Sequence, residues 1–261
     1  MRGMRHTTQI KGMPNKQGLY DPGFEHDACG TGFIADMKGR RSHEIVRHAL
    51  TALENMNHRG AAGSEPNTGD GAGILIQTPH EFLTKVCAIE GFSLPAPGQY
   101  GVGMLFLPQD EKNRRLCEQQ FAQIVAEEGQ TLLGWRTVPT DNGSLGATAV
   151  ASQPSIRQVF IQRSEEITDD MDFESKLYVI RKLAEKAIRY HKEESGCQSF
   201  YVASLSYKTL VYKGMLLADQ VDHLKIFVRS CLGVVLKILV LRSFDFLYHL
   251  PTGQIERRSG G

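Results

Sequence analysis

The 261-residue sequence has few cysteines, a single tryptophan and almost no net charge. Its five cysteines, Cys29, Cys87, Cys117, Cys197 and Cys231, are odd in number and widely scattered, and no two form a CxxC pair. Neither zinc or iron–sulfur ligation within the chain nor a disulfide framework is indicated, and a reducing cytoplasm is the compartment that fits. Thirty basic residues against 29 acidic ones leave a formal charge of +1. No Lys/Arg run reaches the density of a nucleic-acid patch, because RSHEIVRH is diluted by acid and aliphatic side chains. The first 28 residues carry basic side chains but no apolar core of the kind a secretory signal needs. Residues 221–250 are the most apolar part, yet Lys225, Arg229, Lys237, Arg242 and Asp245 interrupt them. No run of about 18 uncharged apolar residues is left to span a bilayer. A buried helix or strand pair is the expectation there, and neither membrane nor nucleic acid is an expected partner.

What is present is ordinary for a globular chain: 41% hydrophobic and 23% charged residues, with length enough for one large domain or two small ones. Residues 1–28 are polar, punctuated by Gly and Pro, and read as a loose leader. From Cys29 the pattern alternates. CGTGFIAD reads as a buried strand. SHEIVRHALTALENMNHRG places Ile45, Val46, Ala49, Leu50, Leu53 and Met56 at helical spacing, with Ser42 as its cap and Gly60 in the left-handed position past its end.

A glycine-rich loop, GAAGSEPNTGDGAG, precedes the strand GILIQT. Thr78, Pro79 and Glu81 then spell a helix start, with Phe82, Leu83, Val86 and Ile89 as its apolar face. Strand YGVGMLFLP, helix EKNRRLCEQQFAQIVAEEG and strand TLLGWRTVP follow. After the turn-rich TDNGSLGATAVASQPS come strand IRQVFIQR, helix FESKLYVIRKLAEKAIRYH and a hairpin, SFYVASLS with TLVYKG. Local pattern alone suggests a parallel doubly wound α/β sheet.

Cys29, between Ala28 and a Gly-Thr-Gly run, admits four readings: core filler, disulfide half, metal ligand or nucleophile. As a nucleophile it needs activation, since a free thiol has a pKa of about 8.5. His26 and His58 are available by sequence. The residue's own α-amino group, with a pKa of about 8, is another base, but only if Cys29 is the first residue of a processed chain. A buried structural cysteine is the commoner case.

The segments CGTGFIAD, ALENMNHRGA and NTGDGAGILIQTPHEF, followed in order by VPTDN, FESKLYVIRK and FYVASLSYKTLVYKGML, resemble the amino-terminal amidotransferase domain of the glutamate synthase large subunit. The resemblance covers roughly residues 19–220. It implies a class II glutamine amidotransferase with an α+β fold of the N-terminal nucleophile hydrolase type: a four-layer αββα sandwich of antiparallel sheets, incomplete here. That implication replaces the parallel sheet. It implies a propeptide at 1–28, a partial amidotransferase domain at 29–220 and a divergent apolar tail at 221–261.

It also implies that Cys29 is the nucleophile, freed by loss of the propeptide, and that Arg59 and Gly60 belong to a loop bordering the glutamine pocket. For Arg59 and Gly60 a helix C-terminal cap is the equal alternative. GAAGSEPNTGDGAG lacks the GxxxxGK[ST] pattern and its Lys, so it is a surface loop rather than a phosphate cradle. Asn142-Gly143, although the right pair of residue types for an oxyanion hole, is read as turn chemistry. Glutamine is the implied substrate, and no cofactor is implied within the chain. FMN and an iron–sulfur cluster, with a small subunit or another electron donor, are implied for the intact family enzyme.

After KGMLL the resemblance fades. The family's HSRFSTN-like segment, its later Asn-Gly pair and an Asp that holds the substrate amine have no counterparts in the sequence. LKILVLRSFDFLYHL stands where the arginine segment is expected, after SCLGVV. A frameshifted or truncated gene is one origin for such a change. The expectation is a glutaminase impaired by these losses. The alternatives are a non-catalytic remnant or another class II amidotransferase.

Overall fold

The computed structural model describes residues 16–18, 30–38, 40, 42–57, 65–69, 71–189, 196–223 and 237–242. Within them, eight strands make two four-stranded sheets, and every strand pairing is antiparallel. The α+β class and the antiparallel sandwich implied by the resemblance are therefore observed. The parallel doubly wound sheet suggested by local pattern is overturned. The alternation of strand and helix is real, but periodicity does not say which strands pair.

Sheet A holds β1 (Gly30–Ala35), β2 (Ala72–Gln77), β7 (Thr209–Gly214) and β8 (Lys237–Arg242) in the order β1-β8-β2-β7. Sheet B holds β3 (Tyr100–Leu107), β4 (Thr131–Thr137), β5 (Ser155–Gln162) and β6 (Tyr201–Ser206) in the order β4-β5-β3-β6. Helix α1 (His43–Asn55) packs on β1, β8 and β2, while α3 (Glu111–Glu127) and α5 (Asp170–Ala184) cover sheet B. The layers are thus helix, sheet, sheet, helix. The two short helices are α2 (His80–Ile89) and α4 (Ala147–Ser152).

β3 shows how the layers are cemented. All of its residues are buried. Tyr100, Val102, Met104 and Phe106 join the cluster that also contains Ile74, Ile76, Leu210 and Tyr212 of sheet A. Leu105 and Leu107 join the opposite cluster, with Phe121 of α3 and Phe173, Leu177 and Ile180 of α5. A strand buried on both faces reads as a continuous apolar run, which YGVGMLFL is. Its glycines make room: a Cβ on Gly101 would collide with Leu177, and one on Gly103 with Val159.

Several local expectations are met. Ser42 caps α1, its hydroxyl accepting from the Glu44 amide at 3.1 Å, and Ile45, Val46, Ala49, Leu50 and Leu53 are buried as their spacing required. Asp110 and Asp169, which the sequence reading did not single out, cap α3 and α5 in the same way.

Others are corrected. α1 ends at Asn55 with Met56 as its cap, so Gly60 is too far along the chain to terminate it. Thr78 does not cap α2: its hydroxyl donates to the Tyr207 carbonyl at 3.3 Å and its amide to the Lys208 carbonyl at 2.9 Å, extending the β2–β7 pairing by one residue. Pro79 takes the cap position without a side-chain bond. Ile89 is 85% exposed, and Cys87 takes its expected place in the core.

The hairpin over SFYVASLS and TLVYKG is also overturned. β6 lies in sheet B and β7 in sheet A. The link between them, Tyr207–Lys208, lacks the Asn-Gly or Gly-rich chemistry of a tight hairpin turn. The chain crosses from one sheet to the other instead, and serine side chains replace the missing ladder. Ser206 Oγ accepts from the amides of Lys208 (3.0 Å) and Thr209 (3.3 Å), and Ser204 Oγ from that of Val211 (3.1 Å). Of the apolar tail, Lys237–Arg242 forms a strand, placed between β1 and β2.

Candidate active site

The register of sheet A brings four strand ends into one row. Gly30 pairs with Arg242, Arg242 with Ala72, and Ala72 with Gly214. β1 and β2 begin at this row, while β7 and β8 end at it. α1 follows β1 after the connection 36–42, packs on β1 and β8, and so runs back along the strands. Asp36 shapes that connection: its carboxylate accepts from the Lys38 amide at 2.8 Å and from the Arg40 guanidinium at 2.9 Å. Thirteen helical residues and six extended ones both span about 20 Å, so α1 ends near the row where β1 starts.

Cys29 immediately precedes Gly30 in the chain, and His58, Arg59 and Gly60 follow α1. Cys29, Arg59, Gly60 and both candidate histidines, His26 and His58, lie outside the described residues. The described residues nearest to them in the chain are Gly30, Asn57 and Glu65.

Beyond the row, three distant segments meet in a polar junction. Thr68, 7% exposed, donates through its hydroxyl to the Glu65 carboxylate at 3.0 Å. The same carboxylate accepts from the Thr148 amide, in the first turn of α4, at 3.1 Å. These bonds, the Thr148 amide foremost, hold the Glu65 carboxyl below its ordinary pKa, so Glu65 is an anchored anion rather than a proton shuttle. Gln220, 4% exposed, accepts from the Leu217 amide at 2.8 Å and donates to the carbonyls of Asn67 at 2.8 Å and Ser144 at 2.9 Å. Two glycines allow the close approach: a Cβ on Gly69 would collide with the Leu216 carbonyl, and one on Gly146 with Glu65.

One register step inside the row, Lys213 on β7 pairs with Gly73. Its ammonium donates to the Tyr201 hydroxyl at 2.5 Å and lies 4.5 Å from that ring's centroid. The aromatic ring and its hydroxyl together favour a half-buried cation there.

Asn142-Gly143 is a turn, as its sequence suggested. The Asn142 amide donates to Gln153 at 2.7 Å, the Gly143 amide to Asp141 at 2.9 Å, and the Leu145 amide to the Asn142 carbonyl at 3.1 Å. The Gly143 N–H and the Asn142 side chain are both engaged locally, as in a turn. Sequence reasoning missed Glu65 and Gln220 altogether. The available signal was weak: a polar residue inside the apolar stretch MLLADQV, and an acid in an otherwise small-residue loop.

The model of the class II glutamine amidotransferases matches residues 29–228, starting at the cysteine singled out above. The chain belongs to the class II glutamine amidotransferases. It is similar to the glutamate synthase [NADPH] large chain of Bacillus subtilis, 49% identical over 210 residues, which cover 80% of this chain and 13% of that protein. Glutamate synthase [NADH] of Saccharomyces cerevisiae is 40% identical over 83% of this chain and 10% of its own length. The chloroplastic ferredoxin-dependent glutamate synthase of Oryza sativa subsp. japonica is 40% identical over 75% of this chain and 12% of its own length. The chain thus spans about an eighth or less of the relatives it matches.

Proposed function

We infer that this chain is the glutamine-hydrolysing part of a glutamate synthase, with Cys29 as its nucleophile. The observation that carries the reading is a coincidence of boundaries. The family match begins at Cys29, and β1 begins one residue later, at the row where the ends of β8, β2 and β7 meet.

In this reading residues 1–28 are removed as a propeptide and Cys29 becomes the first residue. Its α-amino group, with a pKa of about 8, takes the thiol proton. The thiolate attacks the side-chain amide carbon of glutamine. The protonated amine then gives its proton to the leaving nitrogen, ammonia departs, and a glutamyl thioester remains for water to hydrolyse. Arg59 and Gly60 border the glutamine pocket.

The sequence has no match to the family's arginine, Asn-Gly and aspartate anchors.

In the intact enzyme the ammonia goes to 2-oxoglutarate, with electrons from a small subunit or another donor, through FMN and an iron–sulfur cluster. Among the described residues no group of three or more His, Cys, Asp or Glu side chains is gathered to hold a metal. Cys87, Cys117 and Cys197 are each buried and separate. A cluster needs four gathered ligands, so these residues do not fit it, and no step is assigned to it here. No helix among the described residues is long and apolar enough to cross a membrane. The cytoplasm is proposed as the compartment because the five cysteines are odd in number and scattered.

The test is ammonia release from glutamine by the chain and by its Cys29→Ala variant, with intact mass and N-terminal sequencing on the same samples. Release that depends on Cys29 and accompanies a chain starting at Cys29 supports the reading. Equal release from the variant overturns it.

A further inference from the structure

We propose that the outward face of α5 is the contact through which two copies of this chain pair, antiparallel, about a twofold axis at Val179. The pairing is independent of the chemistry at Cys29.

α5 is apolar on two sides. Phe173, Leu177, Ile180 and Ala184 are buried in the cluster beneath it, against sheet B. Of the nine large hydrophobic residues exposed among the described ones, four, Met171, Tyr178, Val179 and Leu183, belong to this one helix. The other five are spread over β1, the turn after it, α2, α4 and the end of β7, where single exposed side chains are ordinary. On α5, Met171 and Tyr178 are seven residues apart and Val179 and Leu183 four, so the exposed set shares one face over successive turns. A contiguous apolar patch of this kind marks a contact surface.

The charges on that face decide what covers it. Asp172 and Lys186 stand seven residues before and seven after Val179, and all three are exposed. Seven residues are nearly two helical turns, so the three fall in line. Lys186 lies in the π-helical turn Glu185–Arg189 that continues α5. The neighbouring charges are already engaged: Asp170 with Arg163 at 2.7 Å, Lys176 with Glu128 at 2.9 Å, and Arg181 and Lys182 with Glu185 at 3.0 and 3.1 Å. Asp172 and Lys186 have no ion-pair partner among the described residues.

A second copy laid antiparallel puts each Asp172 against the Lys186 of its mate, and Val179 against itself on the axis. Leu183 of one copy then falls beside Ser175 of the other, and Met171 beside Ala187. A parallel arrangement brings like charges together instead. Acids first and bases last also suit the helix dipole, but the dipole acts only on the end turns and asks nothing of Val179 or Leu183. The contact is about 21 Å long from Asp172 to Lys186, which keeps the buried area below the roughly 1,200 Å² of a standard interface. The dimer is therefore weak, with a dissociation constant of about 10–100 µM.

The experiment is sedimentation velocity on the full 261-residue chain, from about 1 µM to about 500 µM so as to bracket that constant. The unsubstituted chain is expected to pass from monomer to dimer. Asp172→Lys and Lys186→Asp should each weaken the dimer by about tenfold, because like charges then meet at both ends of the contact. The double variant carrying both changes should restore it. Thermal melts on the same samples separate a dipole role, since both changes oppose the dipole and the double variant is then the least stable of the set.

A chain that stays monomeric throughout overturns the proposal and leaves the face to a different partner. A double variant that associates no better than the single ones overturns it too. Where association runs beyond dimers, Val179→Cys treated with a short bis-maleimide decides. Peptides cross-linked between the two copies through position 179 are expected, and should be lost when Asp172→Lys is added. Their absence from Val179→Cys alone overturns the pairing.

Discussion

The side-chain amide of Gln158 on β5 donates to the hydroxyl of Tyr212 on β7 at 3.0 Å, and the two residues belong to different sheets. The same Gln158 accepts from the Arg136 guanidinium at 2.8 Å, and Arg136 is only 6% exposed and lies over the Phe82 ring. One fully buried amide therefore satisfies a buried cation and ties the two layers of the sandwich together. Replacing it by Gln158→Leu leaves the guanidinium without this acceptor, and the expected loss is about 3 kcal/mol. Gln158→Glu keeps the acceptor and should lose less. Urea melts with unchanged slope would measure both, and equal losses would show that the bond to Arg136 is not what matters.

Helix α5 depends on its first residue boundary. Asp169 accepts from the amides of Met171 at 2.7 Å and Asp172 at 3.2 Å. Asp169→Ala should cost about 1 kcal/mol, seen as a fall in Tm of roughly 2–4 °C. Asp169→Asn, which keeps an acceptor oxygen, should recover most of it. A Tm unchanged in the alanine variant would show that the cap is idle.

The core thiols should be silent. Burial pushes the Cys87 thiol up to about 12, the nearby Arg136 charge offsetting only part of the effect. At pH 8 its thiolate fraction is then on the order of 10⁻⁴, and Cys87, Cys117 and Cys197 are all essentially inaccessible. Peptide mapping after iodoacetamide treatment of the native chain should find none of the three modified, and all three modified after unfolding. Native labelling at Cys87 would contradict its placement.

Glu65 gives a pH dependence of definite sign. Its folded carboxyl is held below the ordinary value, chiefly by the Thr148 amide, so ionisation favours the folded junction. That contribution is complete above the unfolded glutamate value of about 4.3 and is lost as pH falls through the lower folded value. The NMR shift of the Thr148 amide should titrate with a midpoint below that of a free glutamate. A midpoint at or above it would mean the carboxylate is not anchored.

Much of the fold was legible because most elements announce themselves locally. The helical spacing from Ile45 to Leu53 and the cap at Ser42 suffice for α1, and the apolar run from Tyr100 to Leu107 suffices for a strand buried on both faces. Pairing was not legible. SFYVASLS and TLVYKG look like hairpin partners because two residues separate the strands, yet Ser204 and Ser206 bind the backbone of β7 while the ladders go to β3 and β2. Thr78 misled for a related reason, since an acceptor brought in by tertiary structure, the Tyr207 carbonyl, outcompeted the local cap. The proposal of Cys29 as nucleophile draws its weight from resemblance, because a lone cysteine beside glycines has no spacing signature. Gln220 could not be found, because its partners are remote in sequence and are backbone carbonyls, which carry no residue-type signal.

The strand order has a consequence for synthesis. Sheet B is drawn from one span, 100–206, whereas sheet A collects strands from 30–35 through 237–242. Among the described residues β1 has a single strand partner, β8. Sheet B can therefore close while the ribosome is still adding residues, but β1 waits for Arg242, and its long wait makes it the slowest element to settle. Pulse-labelled exchange during refolding should protect β3 and β5 before β1. The strand that leads out of Cys29 is thus among the first to be made and the last to be fixed, so any processing before Cys29 that requires the folded sheet acts on a chain complete to at least Arg242.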